Sequence, residues 1–432
     1  MTWTAEQILS LAPDAPVAKD GKALAAPRKW AALARDGDAV WGEIKGSGKT
    51  PYQAQIDLTG PAFKCTCPSR KRPCKHTLAL FLLFESQPVA FAKSEKPDWV
   101  TEYLANRARR AKAKEQPKQI VDAEAQIERA AERMSKVTAG LNDLELWLKD
   151  IVRQGLASLP EQPQKFWRTM AARMIDAQAP GVARMVNDLA GVMATGEGWQ
   201  EKMLERLSKL YLLVESFKRL DSLPADTQAD ARAAIGWAQS ASDIAGEPGV
   251  KDVWAVPGRR VTTEDALRTQ RTWLWGENTN RAALLVDFAA SGQTFETNLL
   301  PGTCVETEIA YFPGAHPLRA VLRQNVVAKP MAQFSGYATI DEAMKAYSSA
   351  LARNPWIELF PMAIQNVIPA QGLAGWAVRD AASHALPLSL RFEKGWSLLA
   401  LSGGRPVSVF GEWDGEGLLI LSGWAEGRFV GM

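Results

Sequence analysis

Phe63-Lys64-Cys65-Thr66-Cys67-Pro68-Ser69-Arg70-Lys71-Arg72-Pro73-Cys74-Lys75-His76 gathers three of the chain's four cysteines and one of its three histidines into twelve residues, spaced C-x-C-x6-C-x-H. Residues two apart on an extended strand point to one face, so Cys65 and Cys67 can present both sulfurs together. Pro68 and Pro73 stiffen the loop that returns Cys74 and His76 to meet them. Three thiolates and an imidazole fill the tetrahedral positions of Zn²⁺ and leave none for water, which marks a structural rather than a catalytic metal. The spacing therefore predicts one structural zinc on Cys65, Cys67, Cys74 and His76. A Cys65–Cys67 disulfide is sterically poor. Iron–sulfur ligation is the competing use of such a set, though a fourth cysteine is usual there.

Outward from this stretch, the chain reads as strand, strand and helix. The strands are about Ala39 to Lys45 and Tyr52 to Leu58, with Gly46-Ser47-Gly48-Lys49 as the turn between them. In the second, Tyr52, Ala54, Ile56 and Leu58 alternate with Gln53, Gln55 and Asp57, the period of a half-buried strand. The run Thr77-Leu78-Ala79-Leu80-Phe81-Leu82-Leu83-Phe84 is apolar on nearly all sides and predicts a helix buried against those strands. A short helix near Ala5 to Leu11 and a connecting stretch precede them. Gly46-Ser47-Gly48-Lys49-Thr50 ends like a phosphate-binding loop, but Glu43 stands where that pattern needs glycine, and Pro51 and a strand follow instead of a helix.

The stretch from Phe63 to His76, followed by Leu78, Ala79 and Leu80, resembles the SWIM-type zinc finger, whose pattern is C-x-C-xn-C-x-H in a ββα arrangement. All four ligands carry over by position to Cys65, Cys67, Cys74 and His76. Leu146-Trp147-Leu148-Lys149-Asp150 and Ile175-Asp176-Ala177-Gln178-Ala179-Pro180 are similar to phrases of longer bacterial SWIM zinc finger proteins. The resemblance implies a zinc-dependent module that binds nucleic acid or protein. It also implies work beside MoxR-type AAA+ ATPases and von Willebrand A domain proteins.

Charge is unevenly spread. The formal net charge is +3, yet residues 61–120 hold thirteen Lys or Arg against five acids, or +8, leaving −5 elsewhere. Arg70, Lys71, Arg72 and Lys75 sit in the finger; Arg107, Arg109, Arg110, Lys112 and Lys114 sit on a basic helix from about Trp99 to Lys114. These cations can neutralise nucleic-acid phosphates, contact an acidic protein, or form a solvated face. The nucleic-acid expectation loses most of its support if the two clusters point apart.

The rest of the chain supplies bulk. From Ile120 a heptad pattern runs through Ile127, Met134, Leu141 and Leu148, with Ala123, Ala130, Val137, Leu144 and Ile151 three positions on, weakened by Gly140 and the alanines. Helical stretches from Phe166 to Ala177 and Glu201 to Leu220 offer it partners within the chain, so an intramolecular bundle is favoured over a dimerising coiled coil. Near Pro248 the texture turns strand-like, with strands at Thr272 to Gly276, Ala282 to Phe288 and Cys304 to Tyr311. A Thr339…Glu342 capping box opens a helix to about Ala352. Strands return at Trp396 to Leu401, Val407 to Trp413 and Leu418 to Leu421, with Ser402-Gly403-Gly404 and Asp414-Gly415 as hairpin turns.

The expectation is an α+β multidomain chain: residues 1–90 with a ββα zinc finger at about 39–84, a basic helix and linker at 91–118, a helical bundle at 119–245, and an antiparallel β-rich α+β domain at 246–432. At 432 residues and 47% hydrophobic composition the chain can bury several cores. Sparse cysteine and the lack of a signal-peptide pattern or membrane span point to the cytoplasm. His316 and His384 have no Cys or carboxylate partner at recognisable spacing, and Cys304 reads as a buried hydrophobe. No catalytic set and no small-molecule substrate is evident. A zinc-binding, non-enzymatic accessory protein that binds DNA is expected, with a protein-interaction adaptor as the alternative.

Overall fold

The computed structural model describes residues 3–46, 48, 50–115, 123–237, 239–244, 246–264, 267–290, 293, 295, 297–323, 328–331, 335–373 and 375–432. Helices α1 (Ala5–Leu9) and α2 (Ala15–Leu24) lead into β1 (Trp30–Asp36), β2 (Ala39–Ile44), β3 (Tyr52–Asp57) and β4 (Ala62–Cys65). Helix α3 (Lys75–Ser86), strand β5 (Ala92–Lys93) and helix α4 (Asp98–Glu115) follow. The strands make one sheet in the order β4-β3-β2-β1-β5, antiparallel except where β5 joins β1. The finger's two strands thus belong to a larger sheet. Both α2 and β1 lie in the stretch that reads as a connection; Asp14 starts α2 by accepting the Val17 amide, with Pro16 in the first turn.

Both faces of this sheet are covered. Leu78, Leu80, Phe81 and Leu83 of α3 share a core with Val40, Ile44, Ala54 and Ile56, while Val100 of α4 packs with Ala34, Ala39 and Trp41 on the other side. The half-buried expectation for β3 is therefore corrected: Gln55 and Asp57 are only 2% and 7% exposed. Strand alternation reports that a face is polar, and here that polar face meets a helix.

The middle of the chain is helical: α5 (Ala123–Gln154), α6 (Gln164–Asp176), α7 (Pro180–Val192), α8 (Trp199–Lys218) and α9 (Ala225–Ile235). The heptad seam is buried at Val137, Leu141, Leu144, Leu148 and Ile151, against residues such as Trp167, Met174, Val186 and Leu210. Its first turns project beyond this core, with Ile127 70% exposed and Ala130 exposed; Ile120 lies outside the described residues. Gly140 serves close packing, because a Cβ there would lie 2.3 Å from the Ala177 Cβ.

The C-terminal part contains β6 (Val250–Glu264), β7 (Leu267–Gly276), β8 (Ala282–Ala290), β9 (Thr303–Tyr311), β10 (Ala320–Leu322), β11 (Lys329–Pro330), α10 (Ile340–Arg353), β12 (Phe360–Gly372), β13 (Gly375–Arg379), β14 (Ala385–Pro387), α11 (Gly395–Ser402), β15 (Val407–Trp413), β16 (Leu418–Ala425) and β17 (Arg428–Gly431). One sheet runs β10-β9-β6-β7-β8, with β11 also on β9; another runs β14-β13-β12-β15-β16-β17. Trp273, Trp275, Phe410, Leu421 and Trp424 fill the space between them. Glu412 is buried there too, accepting from Arg271 at 2.9 and 3.0 Å and from the Trp273 indole at 3.0 Å.

Several expectations change in this region. Trp396 to Leu401 is helix α11, not a strand, and Gly403 (φ +55°) and Gly404 (φ +79°) close that helix rather than turn a hairpin. Thr339 does accept the Glu342 amide, but the Glu342 carboxylate accepts from the Ala338 amide, one residue before the cap. His384 does have a carboxylate partner: its Nδ1 lies 3.5 Å from Asp380, which also accepts the His384 amide. Cys304 is half-buried.

Candidate metal centre

Strand β4 carries Cys65 to its end, in register with Ala54 of β3. The strand pairing then continues one residue: Gln53 accepts the Thr66 amide at 3.1 Å and donates its own amide to the Thr66 hydroxyl at 3.0 Å. Thr66 is thereby fixed between Cys65 and Cys67. The loop crosses Ser69 to Arg72, and Cys74 becomes the N-cap residue of α3 with extended backbone (φ −83°, ψ 168°). His76 follows in the first helical turn. A strand end and a helix start thus deliver two ligands each.

The ligand atoms of Cys65, Cys67, Cys74 and His76 all lie within 4.8 Å of one another, and all four residues are buried. His76 turns Nδ1 toward the Cys65 sulfur at 3.9 Å. With ordinary Zn–S and Zn–N bonds, the edges of a tetrahedral site are about 3.6–3.8 Å. Shifts of about 1 Å or less bring the donors onto that figure. The four residues fit one structural Zn²⁺, and they use every position of its coordination shell.

Local electrostatics agree. Hydrogen bonds with Cys67 and Cys74, together with burial, push the Cys65 thiol up; hydrogen bonds from Cys65 and Cys67 pull Cys74 down. The Thr77 amide also bonds the Cys74 sulfur, with the Thr77 hydroxyl 3.6 Å away. A thiolate at a helix N-terminus is favoured by the helix dipole as well. Burial disfavours the His76 imidazolium, but hydrogen bonds with Cys67 and Cys74 outweigh it and push His76 up to about 9. This set gathers negative charge around a held proton. Zinc binding replaces such protons with the metal.

Among the described residues, the basic side chains do not form one surface. Arg70 is exposed and Arg72 is half-buried, its guanidinium donating to the Lys71 carbonyl at 3.3 Å. Lys71 pairs with Asp14 at 2.5 Å and Lys75 with Asp20 at 3.2 Å. Arg107 is committed to the fold: only 16% exposed, it bonds Asp57 and the Gly60 carbonyl. Tyr103, one turn earlier on α4, lies beside Lys64. Helix α4 thus runs back along β4, away from the cysteines, and the exposed Arg109 lies beyond Arg107. The side chains of Arg110, Lys112 and Lys114 lie outside the described residues. The expected contiguity of the two clusters fails for Arg107.

Sequence reasoning missed Asp14, Asp20, Thr77 and the Tyr52 ring, which packs 5.3 Å from that of His76. Only Asp14 carries a local signal, an Asp two residues before a proline at a helix start. Strand β3, not a helix, follows the GKT sequence. Among the described residues, no helix is long and apolar enough to cross a membrane.

Two family models match the chain: the SWIM zinc finger over residues 64–84, and the SWIM-associated four-helix bundle domain over residues 132–235. The first spans the ligand set, and the second spans α5 from Glu132 to the end of α9. No curated protein and no solved structure matches. One matched model lies on the metal-binding residues and the other on the bundle, so the chain carries a SWIM zinc finger followed by a SWIM-associated four-helix bundle domain.

Proposed function

We propose that the protein is a non-catalytic adaptor in which zinc fixes the loop from Pro68 to Pro73 and presents Arg70 and Arg72 to an acidic segment of a partner protein. One observation carries this reading: the loop is a surface of mixed charge. Of the four cations in the loop and at the start of α3, Lys71 and Lys75 already face Asp14 and Asp20, leaving Arg70 exposed and Arg72 half-buried. Polyanion-binding surfaces concentrate one sign of charge instead. The saturated ligand set argues against catalysis at the metal, since a catalytic zinc keeps an open position.

Purification of the native protein with and without nuclease tests the proposal. The expected result is a protein partner that survives nuclease and falls at least about tenfold with Arg70→Ala/Arg72→Ala, since arginines are frequent interface hot spots. A MoxR-type AAA+ ATPase and a von Willebrand A domain protein, which the family resemblance suggests, are the first partners to assay directly.

Nucleic-acid binding is the second reading, favoured by the same exposed Arg70. Titration of labelled duplex DNA against salt decides it. Contacts from Arg70 and Arg72 alone would give a slope of log K against log salt of about −1.8. Copurification that vanishes with nuclease, together with such a slope, would replace the adaptor reading.

A further inference from the structure

Helix α2 lies flush on α3. Val17 is buried in the finger core, and Gly21 approaches so closely that a Cβ there would sit 2.8 Å from Leu78 Cδ2. This contact fixes two acidic side chains beside the finger loop. Asp14 accepts the Val17 amide through Oδ1 at 2.9 Å and offers Oδ2 to Lys71. Asp20, farther along α2, offers Oδ2 to Lys75.

Neither pair belongs to the zinc shell, and neither is deep. Side-chain exposure is 54% and 33% for Lys71 and Asp14, and 46% and 54% for Lys75 and Asp20. Exposed ion pairs are weak, so an incoming carboxylate can take over either lysine by side-chain movement alone while α2 stays packed. We infer that Asp14 and Asp20 are built-in competitors for the finger loop: they occupy Lys71 and Lys75 and so set the affinity for an acidic partner segment. This inference rests on the adaptor reading. Arg70 and Arg72 make the first contact, and the lysines join only by exchange.

The experiment uses full-length, zinc-loaded protein and a fluorescein-labelled ten-residue polyglutamate peptide, read by anisotropy. Asp14→Asn keeps the helix cap, because asparagine caps as well as aspartate. Asp20→Asn touches no cap and serves alone as the second variant. The double variant should bind the peptide about two- to thirtyfold more tightly at low salt, the range for two exposed pairs. That gain should vanish in a Lys71→Gln/Lys75→Gln background. Glu6→Gln, at an exposed acid paired with Arg428, should leave affinity unchanged. Equal affinity of wild type and Asp variants would overturn the competitor role and leave the loop as a docking site. No binding by any variant would overturn docking and competition together. Tightening on duplex DNA but not on the peptide would overturn an acidic protein segment as the ligand.

Discussion

Cys74 does two things at once: it holds the metal and it starts a helix. Its backbone takes the extended cap conformation while its carbonyl accepts from Leu78 and from the Thr77 hydroxyl. Cys74→Ser preserves the cap, since serine is a preferred N-cap residue, yet a hydroxyl is a poor zinc ligand. Zinc content of the purified protein should fall from one equivalent to background, with a lowered melting temperature. Retention of one equivalent would show that the metal sits elsewhere. The four ligands were legible in the sequence because they lie within twelve residues. Asp14 and Asp20 were not, because each reaches its lysine across more than fifty residues, and such pairing follows only from how α2 packs on α3.

At the scale of elements, helix α4 shows why a basic segment need not be a binding surface. Arg107 reaches Asp57 at the end of β3, where Asp57 also accepts from the Thr59 amide and hydroxyl. Both partners are mostly buried, at 16% and 10% side-chain exposure. Removing one partner of a buried pair leaves the other charge uncompensated and costs about 3–5 kcal/mol. Arg107→Ala should therefore loosen α4 from the sheet, read as lost hydrogen-exchange protection along Asp98 to Arg107 with zinc content unchanged. Protection equal to wild type would return Arg107 to the surface. From sequence, Arg107 cannot be told from Arg109, because helix charge patterns name a face without naming its neighbour. The same gap explains α11. Trp396 to Leu401 is an apolar run too short for its period to separate strand from helix, and the positive φ of Gly403 and Gly404 suits a helix end as well as a turn.

Polar contacts join the parts of the molecule, alongside apolar ones such as Leu300 in the finger core and Trp356 against the bundle core. Gln7 of α1 donates to the Pro301 carbonyl, Arg184 of α7 pairs with Glu358, and Trp356 donates to the Lys209 carbonyl on α8. The texture of these parts was legible in the sequence, but their junctions were not. Asp230 makes one junction testable. It stands on α9, is 8% exposed, and accepts the Ala315 amide at 2.8 Å in the β-rich part. Burial pushes its carboxyl up to about 6; the Ala315 bond opposes the rise and Asp226 adds to it. A carboxyl raised above its unfolded value favours the folded state while protonated, and that contribution is lost as pH rises through the folded value. Ionised Asp230 thus weakens the fold at neutral pH. Asparagine keeps the acceptor for Ala315 without the charge, so Asp230→Asn should be more stable than wild type by about 2 kcal/mol at pH 8. The difference should shrink as pH falls from 7 to 5 in denaturant unfolding. A difference that stayed constant across that range would assign the effect to packing rather than to charge at this junction.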